Sequence, residues 1–303
     1  MIETIQLRKR YGNKDALKNV TCHIPNNSFV GLIGRNGSGK TTFLKLLAGE
    51  STPTSGQLFV GGEQPFDNIQ VSANTMLIDD EFNLVDNARL TEGLDAMAHF
   101  YPKFDRPLAE RLLAYFEIPT HARQSKLSKG MNMTYRFVLG LCARTDVTYF
   151  DEPTNGMDAS VRKDVYRLLL KDYVEHPRTI IVSSHHIEEL EQLLSYVVVL
   201  HDGQTVYVDE AEQLQQRYVE LIGSAATIQS VIAKSQVVTT FGEAPVQHVI
   251  VPNELTAEER HQLQQSNVQI KGVGLSDAYI YMTEHRKGGI DDVYNDYDAD
   301  STL

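Results

Sequence analysis

The chain has 303 residues, enough for one large domain or two and for a sizeable buried core. Hydrophobic residues make up 42% and charged residues 22%, an ordinary globular mixture rather than a disordered or fibrous one. The formal net charge of -12 argues against a nucleic-acid platform.

Read in order, Ile2, Ile5 and Leu7, then Val20, Cys22 and Ile24, suggest two early strands. The segment Met1–Leu7 has no apolar signal core. Phe29–Ile33 reads as a buried strand, and Thr41–Ala48 as a helix with Phe43, Leu44, Leu46 and Leu47 apolar. Gln57–Gly62 reads as a strand entering a turn, and Thr75–Ile78 as a short apolar strand. From about Ala88 to Ala143 the pattern is mostly helical, broken by Pro102, Pro107 and Pro119, which suggests a helical insert. The βα rhythm then returns. Val147–Phe150 reads as a strand, and Asp158 as the cap of a helix carrying Val161, Val165, Leu168 and Leu169. Thr179–Val182 reads as the next strand, followed by a helix through Leu194. Val197–Leu200, Asp202-Gly203 and Thr205–Val208 read as strand, turn and strand. A helix is expected near Gln213–Tyr218, and later strands at Val246–Val251 and Ala278–Met282. Asp291, Asp292, Asp296, Asp298 and Asp300 crowd the end, as in a solvated tail. Strands alternating with helices imply an α/β fold with a mostly parallel sheet.

No apolar run approaches the roughly 20 residues of a membrane-spanning helix, so a membrane role has to come through another polypeptide. Cys22 and Cys142 form no disulfide framework and no zinc spacing, which points to a reducing cytosol.

The chemistry is concentrated in Gly34-Arg35-Asn36-Gly37-Ser38-Gly39-Lys40-Thr41-Thr42, which fits the phosphate-loop pattern G-x-x-x-x-G-K-[ST] between a strand and a helix. Gly34, Gly37 and Gly39 let the backbone curl so that N–H groups of Asn36, Ser38 and their neighbours point at phosphate oxygens. The positive end of the following helix lies under the same anion. Lys40 adds a point charge for the β- and γ-phosphates, and Thr41 offers a hydroxyl to Mg²⁺. Asp151-Glu152 ends the strand Val147–Phe150, and in a parallel sheet ligands lie at the carboxyl ends of strands. Asp151 can therefore hold Mg²⁺, and Glu152 can orient an attacking water or accept its proton. His185, just past the strand at Thr179, is placed for contact with the γ-phosphate.

The order GRNGSGKTT, LSKGM, VTYFDEP, TNGMD and SSHHIEE resembles the ATP-binding cassette ATPases of ABC transporters, over about the first 220 residues. The resemblance implies a P-loop ABC ATPase core with an antiparallel β subdomain and a helical insert. The expected domains are an ATPase domain at 1–222, with its helical part at about 86–144, and an accessory region at 223–303. Leu127-Ser128-Lys129-Gly130-Met131 is similar to the family signature LSGGQ but departs at Lys129 and Met131. The resemblance implies that Ser128 and Gly130 cap the ATP held by a second subunit, and that Asp158 belongs to the loop beside it. It also implies that Tyr11 stacks on adenine and that His185 is the switch histidine. Where the family carries a glutamine near Mg²⁺, this chain has Asp79-Asp80-Glu81, with Asp80 as the aligned residue.

Phe100-Tyr101-Pro102-Lys103-Phe104-Asp105 and Leu275–Met282 resemble a bacterial YtrB-like exporter subgroup. The implied protein is a Mg-dependent ATPase binding ATP and Mg²⁺ in the cytoplasm, peripheral on the inner face of the membrane. It would pair as a homodimer, or as a heterodimer with another ABC ATPase. It would drive a separate transmembrane permease for peptides or amphipathic compounds, without nucleic acid. A soluble ABC-type ATPase or a weakly hydrolysing regulatory module is the alternative.

Overall fold

The computed structural model describes residues 1–83, 88–184, 187–242 and 245–283. His185 and the acidic positions from Asp291 to Asp300 lie outside the described residues. The chain divides into two compact units, Met1–Ala211 and a second from Glu212 onward.

The first unit begins with β1 (Ile2–Tyr11), β2 (Lys14–Ile24), β3 (Phe29–Ile33), α1 (Lys40–Leu47), β4 (Ser55–Val60), α2 (Ile69–Asn74) and β5 (Thr75–Ile78). The helical insert follows with α3 (Leu90–Phe100), α4 (Arg106–Tyr115) and α5 (Lys129–Ala143). The unit continues through β6 (Val147–Asp151), α6 (Ala159–Glu175), β7 (Thr179–Ser184), α7 (Ile187–Leu190), β8 (Tyr196–His201) and β9 (Gln204–Glu210). Among the described residues the strands form a nine-stranded sheet in the order β4-β1-β2-β9-β8-β3-β7-β6-β5.

Every residue of β3, β5, β6 and β7 is buried. Strands covered on both faces read as continuous apolar runs, which is why these four were legible as strands. They pair in parallel, as does β3 with β8, whereas β1 pairs antiparallel with β2 and β4. The register sets Ile33 opposite Ser184 and Asp151 opposite Ser183. The carboxyl ends of β3, β6 and β7 therefore lie on one edge of the sheet, where α/β folds place ligands.

The insert is held to this sheet by packing and charge. Phe137 of α5 meets Phe150 of β6 with ring centroids 5.5 Å apart. Arg144, at the end of α5, lies 3.1 Å from Asp105 and 3.5 Å from Asp172 of α6, and Asp172 in turn pairs with Arg178 at 2.7 Å. Asp172 and Arg178 are both buried, so each charge depends on the other.

The second unit contains α8 from its second residue on (the helix runs Ala211–Gln215), β10 (Tyr218–Gly223), α9 (Ala225–Val231), β11 (Thr239–Phe241), β12 (Gln247–Pro252), α10 (Ala257–Gln265), β13 (Gln269–Gly272) and α11 (Leu275–Thr283). Its strands pair antiparallel in the order β11-β12-β10-β13. This is a split βαβ arrangement of the ferredoxin-like kind. Val219, Leu221, Val249 and Val251 on one sheet face pack with Ile228, Ile232, Leu263 and Val268.

Two expectations are corrected here. The division falls at Ala211 rather than at residue 222, because β10 is the second strand in from one edge of the second sheet, hydrogen-bonded on both sides. Ala278–Met282 is helix rather than strand: Leu275, Ala278 and Tyr279 are the buried positions, a spacing of three and four.

The corrected boundary changes where the chain can be cut. A fragment ending at Gly223 retains β10 without β12 or β13 and bares Val219 and Leu221, at a cost of about 1.5–3 kcal/mol for each such side chain. A fragment ending at Ala211 leaves no such strand. We expect the shorter fragment to stay monodisperse and bind ATP, and the longer one to aggregate, as measured by light scattering and calorimetry. Loss of ATP binding in a folded 1–211 fragment would show that the second unit is needed for the site.

Candidate nucleotide site

Gly39, the residue before α1, has φ of 107°. A Cβ there would lie 2.5 Å from Leu17 Cδ2 and 2.8 Å from the Ala16 carbonyl oxygen, so both conformation and space require glycine. Gly37 also has positive φ, at 81°. These conformations turn the loop into the amino end of α1, where successive N–H groups lack partners within the helix.

Lys40 is 7% exposed. Its ammonium donates to the Gly34 carbonyl at 2.7 Å and the Arg35 carbonyl at 3.4 Å, and lies 3.7 Å from Glu152 Oε1. Thr41 Oγ1 donates to Asp151 Oδ2 at 2.6 Å. The other Asp151 oxygen, Oδ1, accepts from Ser183 Oγ at 2.5 Å. Glu152 has φ of 48°, and its N–H donates to Ser183 Oγ at 2.9 Å. The loop after β3 and the ends of β6 and β7 are thus fastened to one another.

A cleft of about 470 Å³ opens beside this cluster. Asn36, Gly37 and Gly39–Thr42 line it together with Asp151 and Glu152, and β1 and β2 contribute Tyr11, Lys14 and Ala16. Tyr11 is 50% exposed, and the Lys9 ammonium lies 4.9 Å from its ring centroid. The ammonium covers one face of the half-exposed ring, which leaves the other face as the one a flat base could stack on.

The donor set fits a nucleoside triphosphate. Ser38 Oγ is buried in the loop without a hydrogen-bond partner, a donor left over for an anion. The set also fits Mg²⁺, since a hydroxyl and a carboxylate lie side by side. Mg²⁺ characteristically takes one or two carboxylates and completes its shell with water and phosphate oxygens.

Other expected residues lie elsewhere. Ser128 caps α5 by accepting from the Met131 N–H at 3.2 Å. A Cβ on Gly130 would come 2.7 Å from the Gly156 carbonyl oxygen, so the start of α5 sits directly against the loop carrying Asp158. Asp158 caps α6, accepting from Ser160 N–H and Val161 N–H, each at 3.0 Å. Those bonds, from Val161 first and then from the Ser160 hydroxyl, hold its carboxyl below the usual range. None of these three lines the cleft. Asp80 is exposed and does not line it either. Its carbonyl, and that of Asp79 at 3.2 Å, accept from Arg136. Sequence reasoning missed Ser183, whose signal was a hydroxyl at the end of an apolar strand, and it missed Lys14, which carries no motif.

The strand order, the phosphate loop and the paired acidic residues define a P-loop ATPase. Residues 17–155 match the ABC transporter family, and the chain carries an ABC transporter ATPase domain. It is 28% identical over 283 residues to the ABC transporter ATP-binding protein YtrB of Bacillus subtilis, covering 92% of this chain and 97% of that one. It is 29% identical over 234 residues to the bacitracin transport ATP-binding protein BcrA of Bacillus licheniformis, covering 73% and 74% of the two chains. Among solved structures, an ATP-binding subunit of an ABC transporter superposes with a TM-score of 0.64 at 23% identity, over 71% of this chain and 92% of that one. A dimeric cassette bound to ADP and Pi gives a TM-score of 0.61 at 22% identity, over 69% and 98%. These relatives are ABC transporter ATP-binding proteins, and ATP hydrolysis is the general activity of the family that residues 17–155 match. No described helix is long and apolar enough to cross a membrane.

Gly39→Ala should abolish ATP binding, because the residue holds a φ of 107° and its Cβ would press on the buried Leu17 side chain and the Ala16 carbonyl, which also predicts a lower melting temperature. Calorimetric titration with ATP, alongside a thermal melt, checks this. Unchanged affinity would show that the loop does not hold phosphate in this conformation.

Proposed function

We propose that this chain is the Mg-dependent ATPase that energises a separate transmembrane permease from the inner face of a bacterial membrane. The observation carrying the chemistry is the meeting of Lys40, Thr41, Asp151 and Glu152 at one edge of the sheet. Lys40 balances the β- and γ-phosphates, and Asn36 to Thr42 cradle them through the backbone. Thr41 and Asp151 would hold Mg²⁺, which when bound neutralises charge developing on the phosphate oxygens. Glu152 orients the attacking water and takes up its proton. His185 is the proposed contact to the γ-phosphate, and Asp80 the proposed residue at the metal-sensing glutamine position.

Ser128, Gly130 and Asp158 form one surface away from the cleft. This favours a head-to-tail pair, identical or with another ABC ATPase, in which that surface closes over the partner's nucleotide. Dimeric cassettes among the structural relatives support this assembly. ATP that binds the closed pair preferentially shifts the population toward it, and hydrolysis releases it. The cargo we propose is a peptide or amphipathic compound moving outward, on the strength of the similarity to bacitracin transport ATP-binding proteins. Isolation from native membranes should recover a polytopic membrane protein with this chain. Recovery with ribosomes instead would support the soluble ATPase reading.

Glu152→Gln should keep Mg-ATP binding and lower phosphate release by at least roughly 10²-fold, the lower range for a positioned acid–base group. Near-normal turnover would mean that a different group positions the water, and Asp79 and Asp80 would be examined first. Negligible turnover in the unaltered chain with its permease present would favour a regulatory module.

A further inference from the structure

We infer that Ser183 is a positioning residue for ATP hydrolysis, a single hydroxyl that sets both the Asp151 carboxylate and the Glu152 backbone. The inference rests on the reading above, that Asp151 holds the metal and Glu152 orients the water.

Ser183 is fully buried in β7, directly opposite Asp151 of β6. Its neighbours in that strand, Ile180, Ile181, Val182 and Ser184, are buried too, so the hydroxyl is shielded from water and depends on protein partners. The polarity of its bonds is fixed. The Glu152 N–H can only donate, so Ser183 Oγ accepts there, at 2.9 Å. Its one proton then goes to Asp151 Oδ1. Thr41 Oγ1 supplies the bond to Oδ2 at 2.6 Å. The result is a directed chain from the Glu152 N–H through the Ser183 hydroxyl to the Asp151 carboxylate, met from the other side by Thr41. Linked donors of this kind polarise one another in a low-dielectric interior.

This arrangement does two things. It fixes the rotation of the Asp151 carboxylate, so that Oδ2 faces the phosphate loop and not the sheet. It also pins the start of the turn at Glu152, where a non-glycine residue holds φ of 48°. That backbone angle sets the direction in which the Glu152 side chain leaves β6. The N–H also reaches the Ser183 carbonyl, at 3.2 Å, so removing the hydroxyl weakens this anchor without freeing the strand.

Ser183→Ala is the test, with Ser183→Thr as the conservative variant and Asp151→Asn as the reference. Each full-length protein is titrated with ATP in EDTA and then with ATP and Mg²⁺, and turnover is measured across Mg²⁺ concentrations. Partners that orient a metal ligand typically account for roughly 10- to 100-fold in metal affinity. We expect Ser183→Ala to bind metal-free ATP as the unaltered chain does. Its gain in affinity on adding Mg²⁺ should shrink, and the Mg²⁺ concentration for half-maximal turnover should rise by roughly 10-fold or more. Ser183→Thr should restore both. Unchanged Mg²⁺ dependence in Ser183→Ala, with Asp151→Asn impaired, would overturn the role of Ser183 alone. Unchanged Mg²⁺ dependence in Asp151→Asn as well would overturn the reading of Asp151 on which it rests. If Ser183→Ala lost metal-free binding and melted early, and Thr restored only the melting temperature, the hydroxyl would be structural and the inference wrong.

Discussion

The Asp151 carboxylate is the junction on which the site depends. It lies at the end of β6, and its two oxygens are claimed by hydroxyls from the phosphate-loop helix and from β7. That sharing is possible only because β3, β7 and β6 are parallel neighbours in strict register, with Ile33 opposite Ser184 and Ser183 opposite Asp151. A slip of one residue would turn each side chain to the other face of the sheet. Full burial of these strands on both faces makes such a slip costly. The packing of the core and the placing of the catalytic groups are therefore one constraint.

Much of this was legible in the sequence because the same burial writes itself as apolar runs. Phe29–Ile33, Thr75–Ile78, Val147–Phe150 and Thr179–Val182 are all strands, and the loop with Lys40 and Thr41 lies where its motif requires. The second unit was harder. In β13 none of the four residues is buried, so the strand carries no alternation to read. Ala278-Tyr279-Ile280-Tyr281-Met282 is rich in residues that favour strands, and only the burial of Leu275, Ala278 and Tyr279 reveals the helix. The boundary moved for a related reason. Val219 and Leu221 of β10 look like a continuation of the first unit until their partners in β12 and β13 are known. Ser183 escaped notice because pairing across parallel strands joins residues far apart in sequence, and no local pattern announces it.

The acidic stretch at Asp79-Asp80-Glu81 puts three carboxylates just past β5, and the fold answers that charge locally. Lys45 of α1 lies 2.7 Å from Glu81 and 3.7 Å from Asp79. The Glu81 hydrogen bond, foremost, raises the affinity of Lys45 for its proton. Nearby Glu50 is pushed the other way from an ordinary exposed acid: burial, then the Asp79 charge, raises its pKa. One cation on the phosphate-loop helix thus offsets acids that would otherwise repel a triphosphate.

The same stretch links the insert to the phosphate-loop helix through its main chain. Arg136 of α5 donates to the main-chain carbonyls of Asp79 and Asp80, not to their carboxylates. Carbonyl acceptors are present whatever side chain stands at these positions. Lys45 then carries the connection onward to α1, whose first residues, Lys40 and Thr41, face the cleft. The path from α5 to the phosphate loop therefore runs through backbone at residues 79 and 80 and through charge at Lys45.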